Sequence, residues 1–283
     1  AASDVYKRQA DDQTAAEPTD VEPDATPDAA PGGSTAGATD APADAPADAS
    51  SPGAPVQRTE QDLQDPTFRS GVVSLLGMLA YGELVSFFTV VSDADRSPST
   101  VKKVSLTEVA IREFEHYQLL AARLEELGAS PHQAMAKFRP ALDEWHRRCQ
   151  PTDWYEGLMK VYAGSSIATD FYAECGRFVD PRTRELVEHV LANSTHYDYA
   201  KQELEAAIER DPKLAARMGL WGRRIVGESL SQAQRAAADN DELTALIVDD
   251  GSGNGLDLAE LMHLFTRITE AHTRRMADLG LSA

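Results

Sequence analysis

The chain has 283 residues, 42% of them apolar, and a formal net charge of −19. That length holds one or two domains and a substantial core. Its two cysteines, Cys149 and Cys175, are too few for a disulfide framework and lack zinc spacing, which excludes the small disulfide-stapled and zinc-finger classes.

The acidity is unevenly spread. Residues 1–65 carry 14 acidic and 3 basic side chains, eight prolines, one leucine and no Phe, Trp, Ile or Met. Such a segment cannot bury enough apolar surface to offset its chain entropy, and it is expected to be a disordered, acidic Ala/Pro/Asp-rich tail. Residues 66–283 hold 32 acids and 24 bases, a milder balance, and are expected to form one helical domain. The opening Ala1–Gln9 stretch has no initiator Met, reads as a fragment or appended scar, and is set aside. No signal-peptide pattern is present and no run of about 18 apolar residues stands out. The expectation is a cytoplasmic protein without a membrane span.

In chain order, the first helix is expected from Thr67 to Asp93, ended by the breaker Asp93–Ser99. The second spans Thr100 to Leu127 and stops at Gly128. Ser130-Pro131 opens a third that reaches Cys149, with Pro140 interrupting it. Asp153 is a suitable N-cap for a fourth, which stops by Asp180-Pro181. A fifth follows from Pro181 to Glu209, a sixth from Pro212 to Asp239, and a last from Asp257 to Leu279. No segment alternates with period two for long enough to be a strand. The expectation is an all-α fold of about seven helices. The longest are roughly 25 residues, on the order of 37 Å, which favours a bundle.

The chemistry lies on the apolar stripes. Glu113 and His116 form a Glu-x-x-His step, and residues at i and i+3 share one helix face. That face also carries Leu106, Val109, Leu120 and Leu124. Glu83 sits on the first helix's stripe with Val72, Leu76, Leu79, Phe87 and Val90. A carboxylate on a buried face needs a partner, and in helical bundles a Glu on one helix with Glu-x-x-His on the next builds half of a two-metal site. A weak echo follows: Gly82-Glu83 and His116-Tyr117 are matched by Gly164-Ser165 and His196-Tyr197. This spacing suggests two hairpins related by a pseudo-twofold axis, with His196 in the second half. Asp170 is the nearest carboxylate to stand in for the one missing at Ser165, and Asn193 occupies the position of the second Glu. Glu228 and His272 form a third, lower-ranked pair.

On Tyr81-Gly82-Glu83, Glu113-Phe114-Glu115-His116-Tyr117, Gly164–Tyr172, His196-Tyr197, Gly227-Glu228 and Thr269–His272, the chain resembles the ferritin-like superfamily. It is most similar to the branch of tRNA 2-methylthio-N6-isopentenyladenosine hydroxylases and their actinobacterial relatives. The resemblance covers residues 67–283. It implies a ferritin-like four-helix bundle with additional helices and a non-haem di-iron centre, with manganese as the alternative metal. It also implies O2-dependent hydroxylation of an organic substrate, with modified tRNA as a candidate, an electron donor of unknown identity, and a homodimer as one assembly. The expected ligands are Glu83, Glu113 and His116 for one metal, and Asp170 and His196 for the other. The competing expectation is a degenerate ferritin-like scaffold, favoured by Asn193 and Ser165. Three arginine pairs, Arg147-Arg148, Arg223-Arg224 and Arg274-Arg275, are the candidate basic face for RNA, against the domain's net negative charge.

Overall fold

The computed structural model describes residues 58–192, 195–249 and 255–282. The expected tail therefore lies almost wholly outside the described residues. Its last stretch does not: Thr59 caps a 3-10 turn at Glu60–Gln64, and Arg58 stacks over the Phe68 ring at 4.6 Å. Among the described residues there is no strand, only a single bridge between Val248 and Leu256.

Helix α1 (Pro66–Arg96) starts where Asp65 accepts the Thr67 amide and Pro66 occupies the first turn. It runs to Arg96, three residues into the expected breaker Asp93–Ser99, and the residue that stops it is Pro98, which forces Ser97 into an extended conformation. Helix α2 (Thr100–Glu126) is capped by the Ser99 side chain and ends ahead of Gly128, whose φ of 73° suits glycine. The two helices pack along their length as an antiparallel hairpin. Val72, Leu75, Leu76 and Leu79 from α1 and Leu120 and Leu124 from α2 are fully buried between them and their neighbours. Each such side chain contributes about 2 kcal/mol.

By length and composition α1 could cross a bilayer, contrary to the sequence expectation that nothing could. In the structure half of its apolar stretch is buried inside the protein. It is the helix around which the others pack, and that role requires the same composition.

The third expected helix is two: α3 (Pro131–Ala136) and α4 (Arg139–Arg148), with Pro140 in the first turn of α4. At Gly77 the α1 backbone approaches α3 so closely that a Cβ would lie 2.6 Å from the Ala134 carbonyl oxygen. Next comes one long helix with an irregular centre: α5 (Trp154–Met159), a π-helical segment over Lys160–Ser165, and α6 (Ser166–Cys175). A π segment inserts an extra residue per turn and redirects the side chains that follow; such segments recur at functional sites.

The fifth expected helix also divides, into α7 (Pro181–Leu191) and α8 (Thr195–Arg210). Asn193 lies outside the described residues. The remaining elements are α9 (Pro212–Ala238), α10 (Asp241–Ile247) and α11 (Leu258–Asp278). The all-α expectation holds. Eleven α-helices replace the expected seven among the described residues, because prolines and short breaks that leave a continuous hydrophobic pattern still interrupt the helical hydrogen bonds.

A buried ion pair fixes α2 against α7. Arg123 donates from Nη2 to Asp180 Oδ1 at 2.9 Å and from Nε to Thr183 Oγ1 at 3.1 Å. Asp180 is also the N-cap of α7, accepting the Thr183 amide. One apolar cluster joins α1, α2 and α3 to the ends of α6, α7 and α11. A second joins α5 and the π segment to α8, α9 and the end of α11.

Candidate metal site and cavity

A cavity of about 390 Å³ opens between these clusters. Its walls are mostly apolar, with polar groups at a few points, as in sites for small organic ligands. Glu83 and Glu113 reach it from the α1–α2 hairpin, as does His116. His196 lines it from α8, Ser165 from the π segment, and Gln232 from α9.

The hairpin brings three of the predicted residues together. The Glu83 and Glu113 carboxyls are hydrogen-bonded to each other, and the Ser86 hydroxyl donates to Glu113. His116 Nδ1 lies 3.3 Å from Glu83 Oε2. Burial pushes both carboxyls well above the ordinary carboxylate range; for Glu113 the charge of nearby Glu83 adds to that. Burial lowers the His116 imidazole, a shift partly offset by the Glu113 charge. Two carboxyls that face each other in an apolar site favour keeping a proton between them. From across the cavity, Tyr172 of α6 packs against α1: a Cβ at Gly82 would lie 3.3 Å from its hydroxyl. Burial, then the Glu83 charge, raise that phenol.

The opposite wall is built differently. Asp170 is half-buried, and both its oxygens accept from Arg275 of α11, at 2.7 and 2.6 Å. The sequence expectation made Asp170 a ligand; in the structure its carboxylate is neutralised by a bidentate guanidinium. Ser165 is exposed where the echo called for a carboxylate. His196 is buried and is pushed down to about 4 by burial alone. His272 is buried with neither ring nitrogen hydrogen-bonded. Glu228 is bound by Arg148 at 3.4 Å. The Gln232 amide is buried and makes no hydrogen bond.

Among the described residues no three His, Cys, Asp or Glu side chains converge on one point as a metal's coordination sphere requires. The hairpin donors form a chain, Glu113 to Glu83 to His116, with Glu83 in the middle. Two carboxylates and an imidazole are a donor set that suits one iron or manganese ion. The opposite wall supplies a lone imidazole. The described residues bring a carboxylate pair and one imidazole to the same wall, short of a converged coordination sphere, and they do not bring together the two-metal set.

Sequence reasoning missed one corner of the cavity. Trp145, His146 and Lys160 line it together, and Lys160 Nζ lies 3.1 Å from His146 Nδ1 and 5.0 Å from the centre of the Trp145 ring. The signal available was Lys160 itself, a lysine inside the apolar run Leu158-Met159-Lys160-Val161-Tyr162.

A family model described as "Ferritin-like domain, actinomycetes" matches residues 66–250. Among solved structures, the fold is similar to protein 19 with aldehyde deformylating oxidase activity from Synechococcus. The TM-score is 0.61 and the identity 19%, covering 78% of this chain and 95% of that one. A likeness at that identity shows a shared fold. No curated protein matches the sequence.

Proposed function

The chain belongs to the actinomycete family of ferritin-like domains, and from that premise we propose that it is a non-haem iron oxygenase acting on a small, largely apolar organic substrate held in the cavity. The observation that carries this reading is the buried Glu83–Glu113–His116 cluster on the wall of a mostly apolar chamber. Two carboxyls facing each other in such a place cost several kcal/mol unless a cation or a shared proton offsets them, so a purely structural role explains them poorly.

Glu83, Glu113 and His116 would hold the metal, which when bound supplies activation of O2. The protein's own part is positioning and exclusion. Ser86 fixes the Glu113 carboxyl, Tyr172 closes the site from the far side, and the apolar walls keep water from the reacting substrate. His196, neutral in its buried position, is the second candidate ligand and faces the same chamber. The activity of the Synechococcus protein is compatible with this class of chemistry.

Hydroxylation of a modified tRNA base is the narrower form of the proposal, and the structure gives it little support. Arg147 and Arg148 are both committed to Glu144. Arg223 is bound to the Ser282 carbonyl, and Arg275 to Asp170. The competing reading is a metal-free scaffold; the pairing of Asp170 with Arg275 favours it.

Anaerobic Fe(II) loading followed by elemental analysis and O2-uptake measurements tests the reading. About one iron per chain, with O2 consumption that rises when an apolar substrate is added, is the expected result. A protein that takes up no iron and melts at the same temperature with and without it would establish the scaffold.

A further inference from the structure

The cavity has a second reactive corner, away from the carboxylate cluster. Lys160 is only 5% exposed, and its Nζ is held by His146 Nδ1 at 3.1 Å beneath the face of Trp145. A buried ammonium is normally paired with a carboxylate. Among the described residues no such partner bonds to Lys160. The acid whose charge it feels, Asp93 of α1, is bound to Arg96 at 2.5 Å. The other groups facing it are His146 of α4, the buried Cys149 thiol and Arg96 itself. Burial dominates, lowering the amine to about 8 and His146 to about 3. About a tenth of Lys160 is therefore free amine at pH 7, far more than for an exposed lysine. Lysines desolvated in this way are nucleophiles. The backbone contributes as well, since Lys160 opens the π segment, where the helix departs from its regular turn, and it lines the cavity.

We propose that Lys160 is a carbonyl-binding amine that condenses with an aliphatic aldehyde in the cavity to form an imine. The nitrogen lone pair attacks the carbonyl carbon, forming a C–N bond and a carbinolamine. The C–O bond then breaks. Both N–H protons of the amine leave in the water released, so no oxidant or reductant is needed. The His146 ring nitrogen accepts a hydrogen bond from the amine and holds it in place. The apolar walls accommodate the alkyl chain and exclude the water that would reverse the condensation. This inference does not rest on the iron reading, because the condensation requires no metal.

The test is reductive trapping of the whole protein with octanal and cyanoborohydride at about pH 7.5, followed by peptide mapping. Lys160 is expected to be alkylated about tenfold faster than the exposed Lys103, Lys137 and Lys213, because a lysine with a lowered pKa carries more free amine. The same preference is expected in chelator-treated protein and in Glu113→Ala, whose loss of metal would test the other proposal separately. Labelling of Lys160 no faster than Lys137 overturns the inference. Lys160→Met should abolish the preferred adduct. If that variant does not fold, a competition on the wild type decides: 1-octanol, which fills the cavity but cannot condense, should slow labelling of Lys160 and leave Lys137 unchanged. Failure to protect Lys160 would equally overturn the inference.

Discussion

The two walls of the cavity present similar residue types in opposite electrostatic states. On the α1–α2 wall, Glu83 and Glu113 touch each other, with His116 beside them and, among the described residues, no Lys or Arg bonded to them. On the opposite wall, Asp170 has a guanidinium on both its oxygens, and burial alone shifts His196. A carboxylate already satisfied by arginine gains little from a metal, whereas two carboxyls forced together gain a great deal. The difference shows that a ligand set cannot be counted from carboxylates near a cavity. What matters is which of them lack a cation.

The largest effect that would break this comparison is loss of metal. Glu113→Ala should remove nearly all bound iron, from about one ion per chain, as read by elemental analysis after anaerobic loading. Iron retained in that variant would put the metal elsewhere. Next, Ser165→Glu places a carboxylate where the opposite wall lacks one, and metal uptake should rise toward about two per chain. An unchanged count would mean that the π segment does not aim position 165 at a shared centre.

Smaller effects concern stability. Arg275→Ala leaves Asp170 without its partner and should cost about 2 kcal/mol in urea titrations. A loss near zero would show the pair to be as weak as a surface ion pair. The smallest effect is a pH dependence. Glu83 and Glu113 have folded pKa values above their unfolded value near 4.5. They are compatible with folding while protonated, and stability is lost as pH rises from that value through neutrality. In metal-free protein, Glu83→Gln/Glu113→Gln should therefore be the more stable form at pH near 8 by about 1 kcal/mol, with the difference shrinking toward acid. A difference that grows toward acid would reverse the assignment.

The approach of Glu83, Glu113 and His116 to one another was legible in the primary structure. Glu83, Glu113 and His116 lie on apolar stripes at helical spacing, and stripes that pack together bring their polar exceptions together. Asp170 was harder to judge. Its partner Arg275 lies on another helix 105 positions away, and no local pattern records that pairing. The surroundings of Lys160 are hidden from local pattern for the same reason, since His146 and Trp145 come from a different helix.

The sequence by itself determined the class of fold, the α1–α2 hairpin and the meeting of Glu83, Glu113 and His116 on it, because periodicity, caps and i, i+3 spacing are local properties of a chain. Tertiary structure decided the rest. It neutralised Asp170, buried His196 and Lys160, and broke the middle helices where prolines and the π segment redirect them. Charge state and nucleophilicity depend on which groups approach through space and how much water they exclude, and neither is carried by the order of residues along one helix.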